Sequence, residues 1–139
     1  MNKILIDTMW LEAIFTREEP PYTTFADAID EGKIIGISSV VSIAEMIKNL
    51  GRKDEERMKR TIQELKGSEI ILVNVTLGIA ERAGELRLKY DVPTADSMIA
   101  ATGIVENVKH VLTNDTRHFG RIKNLIKIKD IKKVLDMAK

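Results

Sequence analysis

The sequence contains no cysteine, two histidines and 4% aromatic residues. Without cysteine there is no disulfide staple, no thiolate zinc cluster and no thiol nucleophile, and a reducing compartment is the natural setting. Long hydrophobic runs are also missing. Apolar stretches stay short and are interrupted by charge, so none reads as a bilayer span or a signal peptide, and a cytoplasmic protein is expected. At 139 residues a single domain over 1–139 is expected, able to bury about 68% of the surface of its unfolded chain. Nineteen isoleucines, one glutamine and abundant Lys and Glu fit a thermophile.

Net charge is +1, from 22 basic and 21 acidic residues. That balance hides a polarised chain. Residues 1–31 hold seven acids and two bases, whereas residues 109–139 hold nine bases and three acids. Such segregation suits a polyanion partner and equally suits ordinary solvated helix surfaces.

Short β-branched runs alternate with longer helical patterns. "KILI" at 3–6, "IIGI" at 34–37, "IILV" at 70–73, "HVLT" at 110–113 and "LIKI" at 125–128 read as five strands. Strands so spaced imply a parallel sheet with helices on both faces. Helices are expected over 9–16, 23–31, 39–50, 54–65, 76–90, 94–105 and 130–137, with Ser39, Asp54, Thr76, Thr94 and Asp130 as N-caps. The turn "NLGRKDEE" at 49–56 is ringed by Lys48, Arg52, Lys53, Arg57, Lys59 and Arg60. It is either a basic arm or a solvated helix pair.

In "VPTADSMIAATGI", residues 92–104, apolar side chains fall on nearly every side of the helical wheel. A helix of that kind is enclosed all round. Asp96 near its start is therefore anomalous. Two other acids, Asp7 after "KILI" and Asp115 just past "HVLT", fall at the carboxyl ends of strands, where open parallel sheets bind ligands. Each has a purely local reading: Asp7 and Asp115 as helix caps, Asp96 as a first-turn acid favoured by the helix dipole. Three acids on one rim would nonetheless repel one another unless a positive charge lay between them. With no cysteine and two histidines, a carboxylate site selects Mg2+ or Mn2+ rather than zinc. His110, inside a strand, and His118, in a turn, read as structural.

"ILIDTMWL", "SSVVSIAEM", "VPTADSMIAAT" and "LTNDTRHFG" resemble, in order and spacing, the motifs of PIN domain nucleases, and the length is that of stand-alone toxins of the VapC type. The resemblance runs from Lys3 to about Ile128. It implies a three-layer α/β/α PIN-like fold around a central parallel sheet of about five strands. It also implies acidic, metal-holding roles for Asp7, Glu45, Asp96 and Asp115, with Thr8 and Thr113 as supporting hydroxyls. Glu45 enters only this way, because a wheel for 39–50 centres the apolar face on Val40, Ile43, Ala44 and Ile47 and leaves Glu45 in solvent.

The implied activity is Mg2+- or Mn2+-dependent hydrolysis of RNA phosphodiesters, by a homodimer whose cognate antitoxin blocks the site. A PIN nuclease of RNA processing or decay would share these residues. A phosphoacceptor signalling domain also gathers acids at strand ends, but it requires an acidic pair after the first strand, where this chain has Asp7 followed by Thr8.

Overall fold

The computed structural model describes residues 2–139. Thirteen elements follow one another in the order β1 (Lys3–Ile6), α1 (Thr8–Thr16), α2 (Tyr22–Asp30), β2 (Ile35–Ser39), α3 (Val41–Gly51), α4 (Glu55–Lys66), β3 (Ile71–Val73), α5 (Leu77–Tyr90), α6 (Thr94–Val105), β4 (His110–Leu112), α7 (Thr116–Gly120), β5 (Lys127–Ile128) and α8 (Ile131–Met137). All five expected strands form. They lie in one sheet of order β3-β2-β1-β4-β5, and every pairing is parallel.

Because both faces of a parallel sheet are covered, its central strand must be apolar on both sides. In β1, Ile4 and Ile6 enter a core with Trp10, Leu11, Phe25, Met46, Leu65 and Val134, whereas Leu5 points into a second core with Ile79, Leu86, Ile99, Val111 and Phe119. The first core is roofed by α1–α4 and α8, the second by α5–α7. This is the expected three-layer α/β/α arrangement, with β1 at its centre.

Chain order determines where a site can open. From β1 the chain moves outward to β2 and β3, then returns to lay β4 on the other side of β1. The crevice between two such oppositely directed halves lies past the carboxyl ends of β1 and β4. Register pairs Leu5 with Val111 and Ile6 with Leu112, so Asp7 and Thr113 emerge side by side. The Asp7 amide donates to the Leu112 carbonyl at 3.1 Å.

Three expected caps form, with the Asp54, Thr76 and Asp130 side chains accepting from the amides of Arg57, Ile79 and Lys133. Two differ. Ser39 ends β2 and its hydroxyl accepts from the Val41 amide (3.1 Å), while Val40 takes the cap position. Thr94 is already helical, with Pro93 before it as N-cap. Proline has no N–H to satisfy and a backbone suited to that boundary.

The enclosed helix is as the wheel implied: Ser97 and Ile99 through Gly103 are all buried in α6. Gly103 lies where α6 approaches the sheet closely. A Cβ there would stand 2.9 Å from both the Leu5 and the Ile126 terminal methyls, and both side chains are fully buried. Gly103→Ala should therefore lower stability by about 1–2 kcal/mol, read from the urea midpoint, even though alanine is the better helix former by about 1 kcal/mol. An unchanged or higher midpoint would mean that Leu5 and Ile126 yield freely.

Candidate active site

Asp7 leaves β1 and caps α1, so its carboxylate is fixed at both oxygens. One accepts from the Thr8 amide (2.9 Å) and the other from the Thr113 hydroxyl (2.6 Å). The Thr113 oxygen in turn accepts from the Asp115 amide at 2.9 Å. One buried threonine thus ties the ends of β1 and β4 together. Burial raises the Asp7 pKa above the ordinary carboxylate value; the hydrogen bonds from Thr113 and Thr8 oppose this, and the charges of Glu45 and Asp115 reinforce it.

Asp115 caps α7 by accepting from the His118 amide (3.0 Å), and its other oxygen lies 2.7 Å from His118 Nδ1. The same Nδ1 is 3.2 Å from Asp96. Asp96, Asp115 and His118 offer one ligand atom each within 4.8 Å of one another. The two acids respond in opposite directions. Asp96 is raised to about 6 by burial and by the charges of Asp115 and Asp7, with His118 partly offsetting them. In Asp115 burial also acts upward, but hydrogen bonds from the His118 amide and ring outweigh it and hold the group below its usual value. Of these two crowded carboxyls, Asp96 is the one that takes up a proton first as pH falls.

Glu45 reaches the rim by a different route. The Thr8 hydroxyl donates to Glu45 Oε1 at 2.5 Å and lies 2.9 Å from the Ser42 hydroxyl. Since the Thr8 hydrogen is committed to Glu45, Ser42 is the donor to Thr8. This corrects the wheel for α3: Ser42 and Met46 are its buried residues, Glu45 is half-buried, and Ala44 and Ile47 face outward. Apolar periodicity fails here because a buried hydroxyl pair, invisible to hydropathy, orients the helix.

His118, which reads from sequence as a structural turn residue, has its ring between two of the acids. The usable signal was its spacing of three residues from Asp115 within a short helix, which brings the two onto one face. His110 stays in β4, apart from the acids. Phe119 is buried beneath the loop as its anchor, and Trp10 is core, with its indole N–H donating to Asn114 Oδ1 at 3.1 Å. A cleft of about 540 Å3 lies between α2 and α8 and is lined by Asp27, Glu31, Lys33 and Lys132. Lys33 precedes β2, so that cleft belongs to the amino edge of the sheet and not to the acids.

A parallel α/β/α domain with four acids converging on the crevice of its sheet defines a class of ligand-binding and hydrolytic α/β proteins. The particular family follows from sequence: residues 4–125 match the PIN domain model, and the chain belongs to the PIN domain family. No curated protein sequence matches significantly.

Solved structures agree in fold. VapBC2 from Rickettsia felis bound to a DNA fragment from its promoter matches at TM-score 0.76 and 19% identity, covering 94% of this chain and 98% of that one. DNA-bound VapBC from Salmonella typhimurium matches at TM-score 0.69 and 22% identity, covering 94% and 99%. FitAcB from Neisseria gonorrhoeae matches at TM-score 0.69 and 18% identity, covering 93% and 98%. Family membership sets aside the phosphoacceptor alternative.

The raised Asp96 pKa carries a sign. Its folded value of about 6 exceeds an unfolded value of about 3.9, so the protonated group favours the folded state and that contribution is lost as pH rises through 6. In EDTA, Asp96→Asn should therefore melt higher than the parent at pH 7, with the gap closing towards pH 4. A gap independent of pH would mean that Asp96 is not under repulsion from its neighbours.

Proposed function

We propose that this PIN domain is a Mg2+- or Mn2+-dependent endoribonuclease and acts as the toxin of a type II toxin–antitoxin pair. The observation that carries the reading is the convergence of Asp7, Asp96 and Asp115 on one crevice, where burial and then the charges of Asp115 and Asp7 raise Asp96 to about 6. Carboxylates that destabilise one another in isolation are suited to a divalent cation. The donor set is dominated by hard oxygens, which fits Mg2+ or Mn2+. Asp7, Asp96 and Asp115 would hold the ion, with Glu45 completing the site or orienting water. When bound, the metal supplies Lewis-acid stabilisation of charge on the phosphodiester and favours ionisation of the attacking water.

The remaining work falls to the chain. Thr113 holds the Asp7 carboxylate and accepts from the Asp115 amide, which fixes the Asp115 backbone beside it. Thr8 holds Glu45, and Ser42 holds Thr8. His118 steadies Asp96 and Asp115. Pre-set geometry of this kind avoids reorganisation during the reaction. No side chain need form a covalent intermediate.

Toxin function rests on the fold shared with the VapBC and toxin–antitoxin complexes. A cognate antitoxin would block this site by placing a cationic side chain among the acids, the same charge compensation that a metal provides. A homodimer is part of the same proposal, on the family resemblance of the sequence motifs. Among the described residues no helix is long and apolar enough to cross a membrane.

Incubation of the purified protein with structured and unstructured RNAs tests the activity. Cleavage should require Mg2+ or Mn2+ and stop in EDTA. Asp7→Asn, Asp96→Asn and Asp115→Asn should each abolish it without unfolding the protein, and Glu45→Gln should slow it about a hundredfold, roughly 2.7 kcal/mol of barrier. Weakened metal binding in Glu45→Gln makes Glu45 a ligand; normal binding with slow turnover makes it an orienter of water. Full activity in the three asparagine variants would end the nuclease reading.

The basic turn between α3 and α4 supplies a second test. Lys48, Arg52 and Lys53 are exposed, and Lys53 lines a cleft of about 250 Å3 with Arg17 and Arg57. If they meet RNA phosphates, replacing Lys48, Arg52 and Lys53 together by alanine should weaken binding across many sequences and flatten its salt dependence, with metal affinity unchanged. An unaltered salt slope would return the turn to ordinary surface.

A further inference from the structure

Beside the acids lies a cleft of opposite sign. It has a volume of about 290 Å3 and is lined by Arg87 from the last turn of α5, by Asp91 and Pro93 from the α5–α6 connection, and by Arg117, His118 and Arg121 from α7 and its end. Three guanidinium groups from segments some thirty residues apart are thereby brought to one concavity. Arg121 is engaged: it donates to the Asp91 carbonyl at 2.5 Å and lies 3.8 Å from the Asp91 carboxylate. Among the described residues, Arg87 and Arg117 have no carboxylate at ion-pairing distance. Asp91, whose side chain is fully exposed, is the only acid in the lining.

Two cations without partners in one cleft repel each other, just as the neighbouring acids do, and an anion is the remedy. The wall between the two features is His118. Its ring contacts Asp96 and Asp115, and the same residue lines the cleft with the arginines. A ligand engaging both must therefore place one charged group at the acids, through a cation, and another anionic group a short step away. A single-stranded polynucleotide does this by its covalent repeat, since each phosphate is followed by another. Guanidinium forks match phosphate oxygens in pairs, and the volume is near the small end of ligand clefts, enough for a phosphate and part of its sugar.

We propose that Arg87 and Arg117 form a subsite for the backbone phosphate adjoining the scissile one, with Arg121, buttressed by Asp91, as its fixed wall. The proposal rests on the nuclease reading above and adds a substrate requirement. The protein recognises a strand of at least two consecutive phosphates, and a dinucleoside monophosphate leaves the cleft unfilled. Because the contact is to backbone, the subsite aligns the strand without choosing its sequence.

The test compares the parent with Arg87→Gln/Arg117→Gln and with Arg87→Lys/Arg117→Lys. Both side chains are exposed, so melting temperatures should be equal. Binding of a single-stranded RNA of about 12 nucleotides is measured with Ca2+ replacing Mg2+ over a range of salt. The glutamine pair should lose about tenfold in affinity, and the slope of log K against log salt should fall by about 0.7, the value for one neutralised phosphate on a single strand. The lysine pair should recover the slope. Cleavage of a dinucleoside monophosphate should be the same in the parent and the glutamine pair, while cleavage of the longer RNA drops.

An unchanged salt slope in the glutamine pair overturns the subsite. So does an equal loss on the dinucleoside monophosphate, which would move the arginines to the scissile group. An unchanged RNA slope with lost binding of poly-glutamate would assign the cleft to an acidic protein segment and overturn the proposal too. If the parent cleaves no RNA, the nuclease reading falls by itself, and a reduced slope in the glutamine pair would still support the phosphate cleft.

Discussion

Repulsion among carboxylates at one end of a parallel sheet is the constraint around which this domain is arranged. Burial already disfavours ionised Asp7 and Asp96, and their mutual proximity adds to it. Left unopposed, those charges would push β1 and β4 apart at their carboxyl ends. Hydroxyl groups prevent this: Thr113 joins Asp7 to the Asp115 backbone, and Thr8 joins Ser42 to Glu45. These hydroxyls are themselves buried, so each must have its partners. The acids and the hydroxyls therefore require one another.

Topology explains why the acids meet. Asp7, Asp96 and Asp115 are far apart in sequence, yet β1 and β4 are neighbours and α6 packs across the sheet between them. Small residues make the α6 contact close: Ala100, Ala101 and Gly103 are all buried. The amino end of α6, where Asp96 sits, is thereby held against α7, and the enclosure of that helix positions its carboxylate.

Much of this was legible in sequence, and the failures have specific causes. Strands such as "KILI" and "HVLT" carry β-branched runs that only a doubly covered sheet accommodates, so their number and the layer arrangement could be read directly. Asp96 was legible as a charge in an enclosed helix. The orientation of α3 was not, because Ser42 is buried by a hydrogen bond to Thr8 and hydropathy ranks it with the exposed residues. His118 reads as an ordinary turn residue because hydropathy carries no information on a single polar ring, although its spacing from Asp115 puts the two on one face. Thr94 and Ser39 each lie one residue from the cap that forms, Pro93 and Val40, because neighbouring residues at such a boundary compete for the position.

The chain has one tryptophan, and its place gives the protein an optical property. The Trp10 indole N–H is bonded to Asn114, the residue between Thr113 and Asp115, while its ring packs against Tyr22 and Phe25. A buried fluorophore is thus tethered to the very loop that carries Asp115. Rearrangement of that loop changes the hydrogen bond at the indole nitrogen, so intrinsic emission from a single site reports on the acids without an added label.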